Sequence, residues 1–198
     1  YINNQYKEMY PNESALTEQT LHELHWALMS PIDRRIAGVY SLNERKTLHT
    51  ENGNTLFYPN PEFVRKNLPI LIDDTYAMTV YFHYVINNNG ITEFIFKRLI
   101  KFFAYFFHCF VSLHPYADGN RRTARLLVCF LHNLVSPIPL SICNSTRNEY
   151  LHCLDHARKP FLETEGMFSR FVKPSRLASL MLCSEHTVLC QSFIDNKV

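Results

Sequence analysis

Glycine is scarce in this chain, with five residues among 198, and tryptophan occurs once. So few glycines, set among long apolar runs at mixed i+3/i+4 spacing, argue for a mainly helical fold. Charge of one sign is also lacking. The formal net charge is +2, and no Lys/Arg stripe runs through the chain, so nucleic acid is not a natural partner. Cysteine is present six times, at 109, 129, 143, 153, 183 and 190, but never as a C-x-x-C pair or at zinc-site spacing. Four of these cysteines have apolar neighbours and read as buried thiols, which leaves the redox compartment open. No apolar run is long enough to cross a bilayer, which takes about 20 residues. The best candidate, Phe102 to Leu113, follows Lys97, Arg98 and Lys101, so it reads as the buried central helix of a bundle. No signal peptide is visible at the start, and no repeat or low-complexity tract interrupts the chain.

What is present fits one domain. A chain of 198 residues with 46% apolar content can bury a core. We divide it into a linker-like segment over 1–16, a core over 17–175 and a helical tail over 176–198. Thr17 to Met29 reads as an amphipathic helix carrying Leu21, Leu24 and Leu28 and stopped near Pro31. Asn52-Gly53 is a two-residue hairpin turn flanked by Thr47-Leu48 and Thr55-Leu56-Phe57. A helix from Pro61 to Asp73 follows, then another from Tyr76 to Ile86, cut by Asn87-Asn88-Asn89-Gly90. Thr92 to Ser112 forms a long helix. Beyond it come helices over Arg121 to Leu134, Arg147 to Ala157, Gly166 to Val172 and Ser175 to Cys190.

Between the two longest apolar stretches lies His114-Pro-Tyr-Ala-Asp-Gly-Asn-Arg-Arg-Thr-Ala-Arg125. The spacing places this loop at a helix N-terminus, where backbone N–H groups attract phosphate oxygens. His114 titrates nearest neutral pH and can take a proton from an attacking hydroxyl. Asp118 offers the hard oxygen that Mg²⁺ prefers. Gly119 lets the backbone approach an anion closely. Asn120 can cap the helix or meet a phosphate. Arg122 and Arg125, three apart, share a helical face and could neutralise charge along a polyphosphate. The set suits phosphoryl or nucleotidyl transfer, where positioning and charge stabilisation do most of the catalysis. The alternative, a helix cap with incidental arginines, does not explain the whole constellation.

The segment resembles the Fic-domain signature H-x-F-x-[D/E]-[G/A]-N-[G/K]-R-x-x-R, with Tyr116 for Phe and Arg121 at the Gly/Lys position. Leu21-His22-Glu23-Leu24-His25, Ile32-Asp33, Ala37-Gly38, Tyr58-Pro59-Asn60-Pro61 and Arg147 to Ala157 extend the likeness, nearest to the animal AMP-transferring members. The resemblance implies a Fic-type helical bundle with a β-hairpin flap beside the active site. It also implies an enzyme that binds Mg²⁺ and ATP and transfers AMP to a Ser, Thr or Tyr hydroxyl of a target protein. Carried over, His114 is the base, Asp118 the Mg²⁺ ligand, and Asn120 with Arg122 the α-phosphate grip. Arg125 reaches the terminal phosphates, and Gly119 gives N–H groups to an anion hole. Tyr150 lies near the adenine or, read more simply, in the core, and Arg158 stands on the nucleotide side where relatives often have Asn, while Thr47, Leu48, Thr55 and Leu56 form the flap that registers the target. The animal members suggest an endoplasmic-reticulum chaperone as target, and bacterial ones cytosolic proteins; a homodimer is a further partner state.

Two features depart from the family pattern. Arg121 stands where AMP-transferring members have Gly; members with Lys there bind ATP reversed and move its terminal phosphate. Arg121 therefore also fits a phosphotransferase, or a weak nucleotide-binding module. The inhibitory helix [S/T]-x-x-x-E-[G/N] is expected ahead of Tyr1, outside this sequence, and the match at Thr47 to Asn52 falls in the hairpin.

Other candidates have simpler readings. His22-Glu23-Leu24-His25 lacks the H-E-x-x-H spacing of metalloproteases, leaving His22 exposed and His25 packing. His152 and His156 are too few for a zinc site, His108 reads as a core histidine, and Asn144-Ser145-Thr146 is a glycosylation sequon only in a secretory lumen.

Overall fold

The computed structural model describes residues 16–48, 55–136 and 140, with isolated helical positions at 178, 179 and 181. Four helices and one hairpin account for nearly all of it, in the order α1 (Glu18–Met29), β1 (Lys46–Leu48), β2 (Thr55–Phe57), α2 (Pro61–Asn89), α3 (Glu93–Leu113) and α4 (Asn120–Val135). The protein is mainly α, as the glycine scarcity predicts. Apart from positions 178, 179 and 181, which are helical within the expected Ser175 to Cys190 helix, the helices expected beyond Leu140 and the Asn52-Gly53 turn lie outside the described residues.

Local chemistry explains the boundaries. Thr17 caps α1, its hydroxyl accepting the Thr20 N–H at 3.1 Å. Leu21, His25 and Met29, four apart, form its buried face. Thr92 plays the same part for α3, accepting the Ile95 N–H at 3.2 Å.

The break expected between Asp73 and Tyr76 is absent, since α2 runs unbroken from Pro61 to Asn89. The Thr75 hydroxyl, instead of capping a new helix, donates back to the Leu71 carbonyl at 2.6 Å. Leu68, Leu71, Ile72, Thr75 and Thr79 are all buried, so the packed stripe crosses the proposed break intact.

The two strands pair antiparallel with Lys46 opposite Phe57, Thr47 opposite Leu56 and Leu48 opposite Thr55. Beyond the ladder, the Tyr58 N–H donates to the Arg45 carbonyl at 3.0 Å.

The chain divides into two compact units, Tyr1–Met78 with Cys109–Ala124, and Thr79–His108 with Arg125–Val198. The first has Leu21, Met29, Leu68, Ile72, Phe110, Leu113 and Tyr116 in its core. The second buries Leu99, Ile100, Phe103, Phe106, Phe107, Val128 and Leu131. Each such side chain contributes about 1.5–3 kcal/mol by leaving water. His132 is buried in the second unit against the edges of Phe96 and Phe103. Of the cysteines described, Cys109 is buried and Cys129 half-buried, both thiols. The Cys129 thiol donates to the Leu140 carbonyl. Among the described residues, no helix is long and apolar enough to cross a membrane.

Candidate functional site

The site is built in the first unit, where α3 ends and α4 begins. Helix α3 stops because His114 turns left-handed at φ 53°, the position after a helix where glycine is usual. Its N–H still donates to the Phe110 carbonyl at 3.1 Å. A β-carbon there is strained, typically by about 1–2 kcal/mol, and the surroundings hold it in place. The buried Arg45 guanidinium donates to the His114 carbonyl. Its other arm donates to the Pro59 carbonyl at 2.9 Å. Tyr58 lies over the His114 ring, with centroids 3.7 Å apart and planes at 22°. The residues flanking the hairpin therefore fix the half-buried imidazole.

After His114 the loop closes on itself. The Ser41 N–H donates to the Pro115 carbonyl at 2.9 Å. Asn120 accepts the Tyr116 N–H at 2.9 Å and donates to the Tyr116 carbonyl at 2.7 Å. At 2% exposure its amide faces inward. Asn120 thus shapes the loop. Tyr116, at the signature's Phe position, is fully buried, and burial raises its phenol pKa.

Gly119 is needed twice over. Its φ is +77°, and a β-carbon would stand 2.7 Å from Met29 Sδ. Thr123 donates both its N–H and its hydroxyl to the Gly119 carbonyl, at 2.9 and 3.0 Å, starting α4. In this first turn the N–H groups of residues 120–122 have no carbonyl within the helix to bond and point outward with the positive end of its dipole. Beside them Asp118 carries an exposed carboxylate. One oxygen accepts the Gly119 N–H at 2.6 Å and the other accepts from Arg122 at 3.1 Å. Arg121 and Arg122 are exposed, so the Asp118–Arg122 pair is worth little as stability. Arg125 falls in the second unit, where it is half-buried on α4.

Among the described residues no group of three or more His, Cys, Asp and Glu could hold a metal. A single exposed carboxylate beside outward N–H groups nevertheless fits Mg²⁺, which commonly takes one or two carboxylates and completes its shell with phosphates and water.

Sequence reasoning left three residues of this site without a role. Arg45 carries no local signal, because its partners are backbone carbonyls. Tyr58 was part of the family likeness only. His25, read as packing, is buried as expected but also bonds at both ring nitrogens. His22, read as exposed, is half-buried with its ring 4.3 Å from that of Tyr40. The backbones of Thr47, Leu48, Thr55 and Leu56 form the paired hairpin. Tyr150 and Arg158 lie outside the described residues.

The Fic/DOC family pattern matches residues 15–131, more than half of the chain. A Fido domain-containing protein of Dictyostelium discoideum is 33% identical over 88 residues, 43% of this chain and 54% of that protein. The chain thus spans about half the length of that curated relative. Among solved structures, Fic-1 of C. elegans superposes with a TM-score of 0.61 at 18% identity, over 98% of this chain and 51% of that one. BepC of Bartonella tribocorum, a VirB-translocated effector solved with bound AMPPNP, gives 0.55 at 13% identity, over 92% of this chain and 81% of that one. At such identities the structures share the fold alone.

Proposed function

Because the chain belongs to the Fic/DOC family, whose members generally transfer nucleotidyl or phosphate groups to proteins, we propose that it is a protein adenylyltransferase. It takes ATP with Mg²⁺, moves AMP to a Ser, Thr or Tyr hydroxyl of a target protein and releases pyrophosphate. One observation carries this reading: a single closed loop presents His114 at one end and, at the other, the Gly119 turn with the α4 N-terminus and the exposed Asp118.

The chemistry follows from that placement. His114 takes the proton of the acceptor hydroxyl as its oxygen attacks the α-phosphorus. The bond from that phosphorus to the bridging oxygen breaks, and its electron pair leaves with pyrophosphate. The first-turn N–H groups of α4, with Arg122, face the negative charge on the α-phosphate, and Arg125 serves the terminal phosphates. Asp118 would hold a magnesium ion, which supplies charge neutralisation to the phosphates. The hairpin over Thr47, Leu48, Thr55 and Leu56 registers the target, and the family likeness assigns the adenine side to Tyr150 and Arg158. AMPPNP in the BepC structure supports a nucleoside triphosphate as ligand. By family analogy the target is an endoplasmic-reticulum chaperone, as for the animal members, or a cytosolic protein, as for the bacterial ones.

His114→Ala tests the assignment. Transfer should fall by about 10²–10⁴-fold, the range for loss of a general base, with the Kd for Mg·ATP within about twofold of the original, because the base acts on the acceptor. A mutant that keeps its rate would remove His114 from the mechanism. Arg121 favours a second reading, transfer of the γ-phosphate, since it occupies the position where phosphate-transferring members carry a cation.

A further inference from the structure

We propose that His25 is a positioning residue for the anion loop, its neutral imidazole clamped between Gly38 and Asp118 so that the Asp118–Gly119 peptide keeps its N–H facing the phosphates. This rests on the reading of that loop as the phosphate cradle. His25 lies on α1, 93 positions before Asp118, and belongs to none of the signature positions.

The hydrogen bonds fix the tautomer. The Gly38 N–H donates to His25 Nδ1 at 2.8 Å, so Nδ1 is an acceptor and carries no proton. The ring proton is then on Nε2, which stands 3.0 Å from the Asp118 carbonyl, a group that only accepts. Each bond requires the other, and a second ring proton would set two donors face to face at Gly38.

The ring's contacts fix the loop. Tyr116 stacks on His25 with centroids 3.6 Å apart and planes at 5°. A β-carbon on Gly119 would come within 3.2 Å of His25 Nε2. In a trans peptide the carbonyl and the following N–H point in opposite directions. With the Asp118 carbonyl drawn toward α1, the Gly119 N–H is turned to the other side of the loop. There it donates to the Asp118 carboxylate at 2.6 Å, and a phosphate oxygen could take the same donor.

Two substitutions separate the two bonds. The amide nitrogen of Gln can stand near the place of Nε2, whereas the shorter Asn reaches only the place of Nδ1. His25→Gln should bind Mg·ATP within about threefold of the unmodified chain by calorimetry, and His25→Asn should weaken it at least tenfold. The amide proton shift of Gly119 should move in the Asn protein and stay in the Gln protein. In the unmodified chain, imidazole ¹⁵N shifts should show a protonated Nε2 and a bare Nδ1. Equal ATP affinities and equal Gly119 shifts in the two variants, or a cationic or Nδ1-protonated ring, would overturn the inference. If the unmodified chain binds no ATP, the proposed function fails instead, while the Gly119 and imidazole shifts still decide the role of His25.

Discussion

His25 and His132 are both fully buried, yet only His25 is tied to the anion loop. The sequence could not separate them, because each is a histidine on the apolar face of a helix. The bonds of His25 join positions 25, 38 and 118, and such pairings exist only in the tertiary fold. His132 has a consequence of a different kind. Burial pushes its pKa from 6.5 down to about 4. The unfolded chain takes up a proton near 6.5 and the folded chain resists it until about 4, so acid favours unfolding between those values. Stability from this source is full above pH 6.5, declines as the pH falls and levels off near pH 4, a loss of about 3 kcal/mol. His132→Gln, which does not titrate in that window, should flatten the decline when urea midpoints are compared at pH 7 and pH 4.5. An unchanged difference between the two midpoints would show that His132 does not carry it.

At the scale of elements, the flanks of the hairpin meet the loop that follows α3 through Arg45. One guanidinium donates to the carbonyls of both His114 and Pro59, joining the end of the hairpin to the signature loop. The ammonium of Lys is a point charge without the planar fork and cannot span both carbonyls in this way. Arg45→Lys should therefore lower kcat for transfer about tenfold, while the Kd for Mg·ATP stays within about twofold, because the loosened group is the base and not the cradle. A weaker Kd with unchanged kcat would place Arg45 on the nucleotide side instead. Element boundaries were readable where a side chain caps its own backbone, as Thr17 does for α1. They were misread where a polar residue serves the helix interior, as Thr75 does in α2, because its hydroxyl has a helical partner that no local pattern reveals.

For the molecule as a whole, the helical class and the family were legible from the sequence alone. Few glycines and long apolar runs point to the class, and the signature loop gathers His114, Asp118 and a helix N-terminus within a few positions. What surrounds that loop was less legible, since α1, the hairpin and Arg45 approach it from distant parts of the chain. The matched family embraces both AMP and phosphate transfer, and the choice lies in how ATP is seated against His114. That choice is read directly by incubating the chain with Mg²⁺ and a cell extract, using ATP labelled at either the α or the γ phosphate. Label reaching protein from the α position, and not from the γ position, is the predicted result. Label from the γ position alone would contradict it and make Arg121 the sign of a reversed nucleotide.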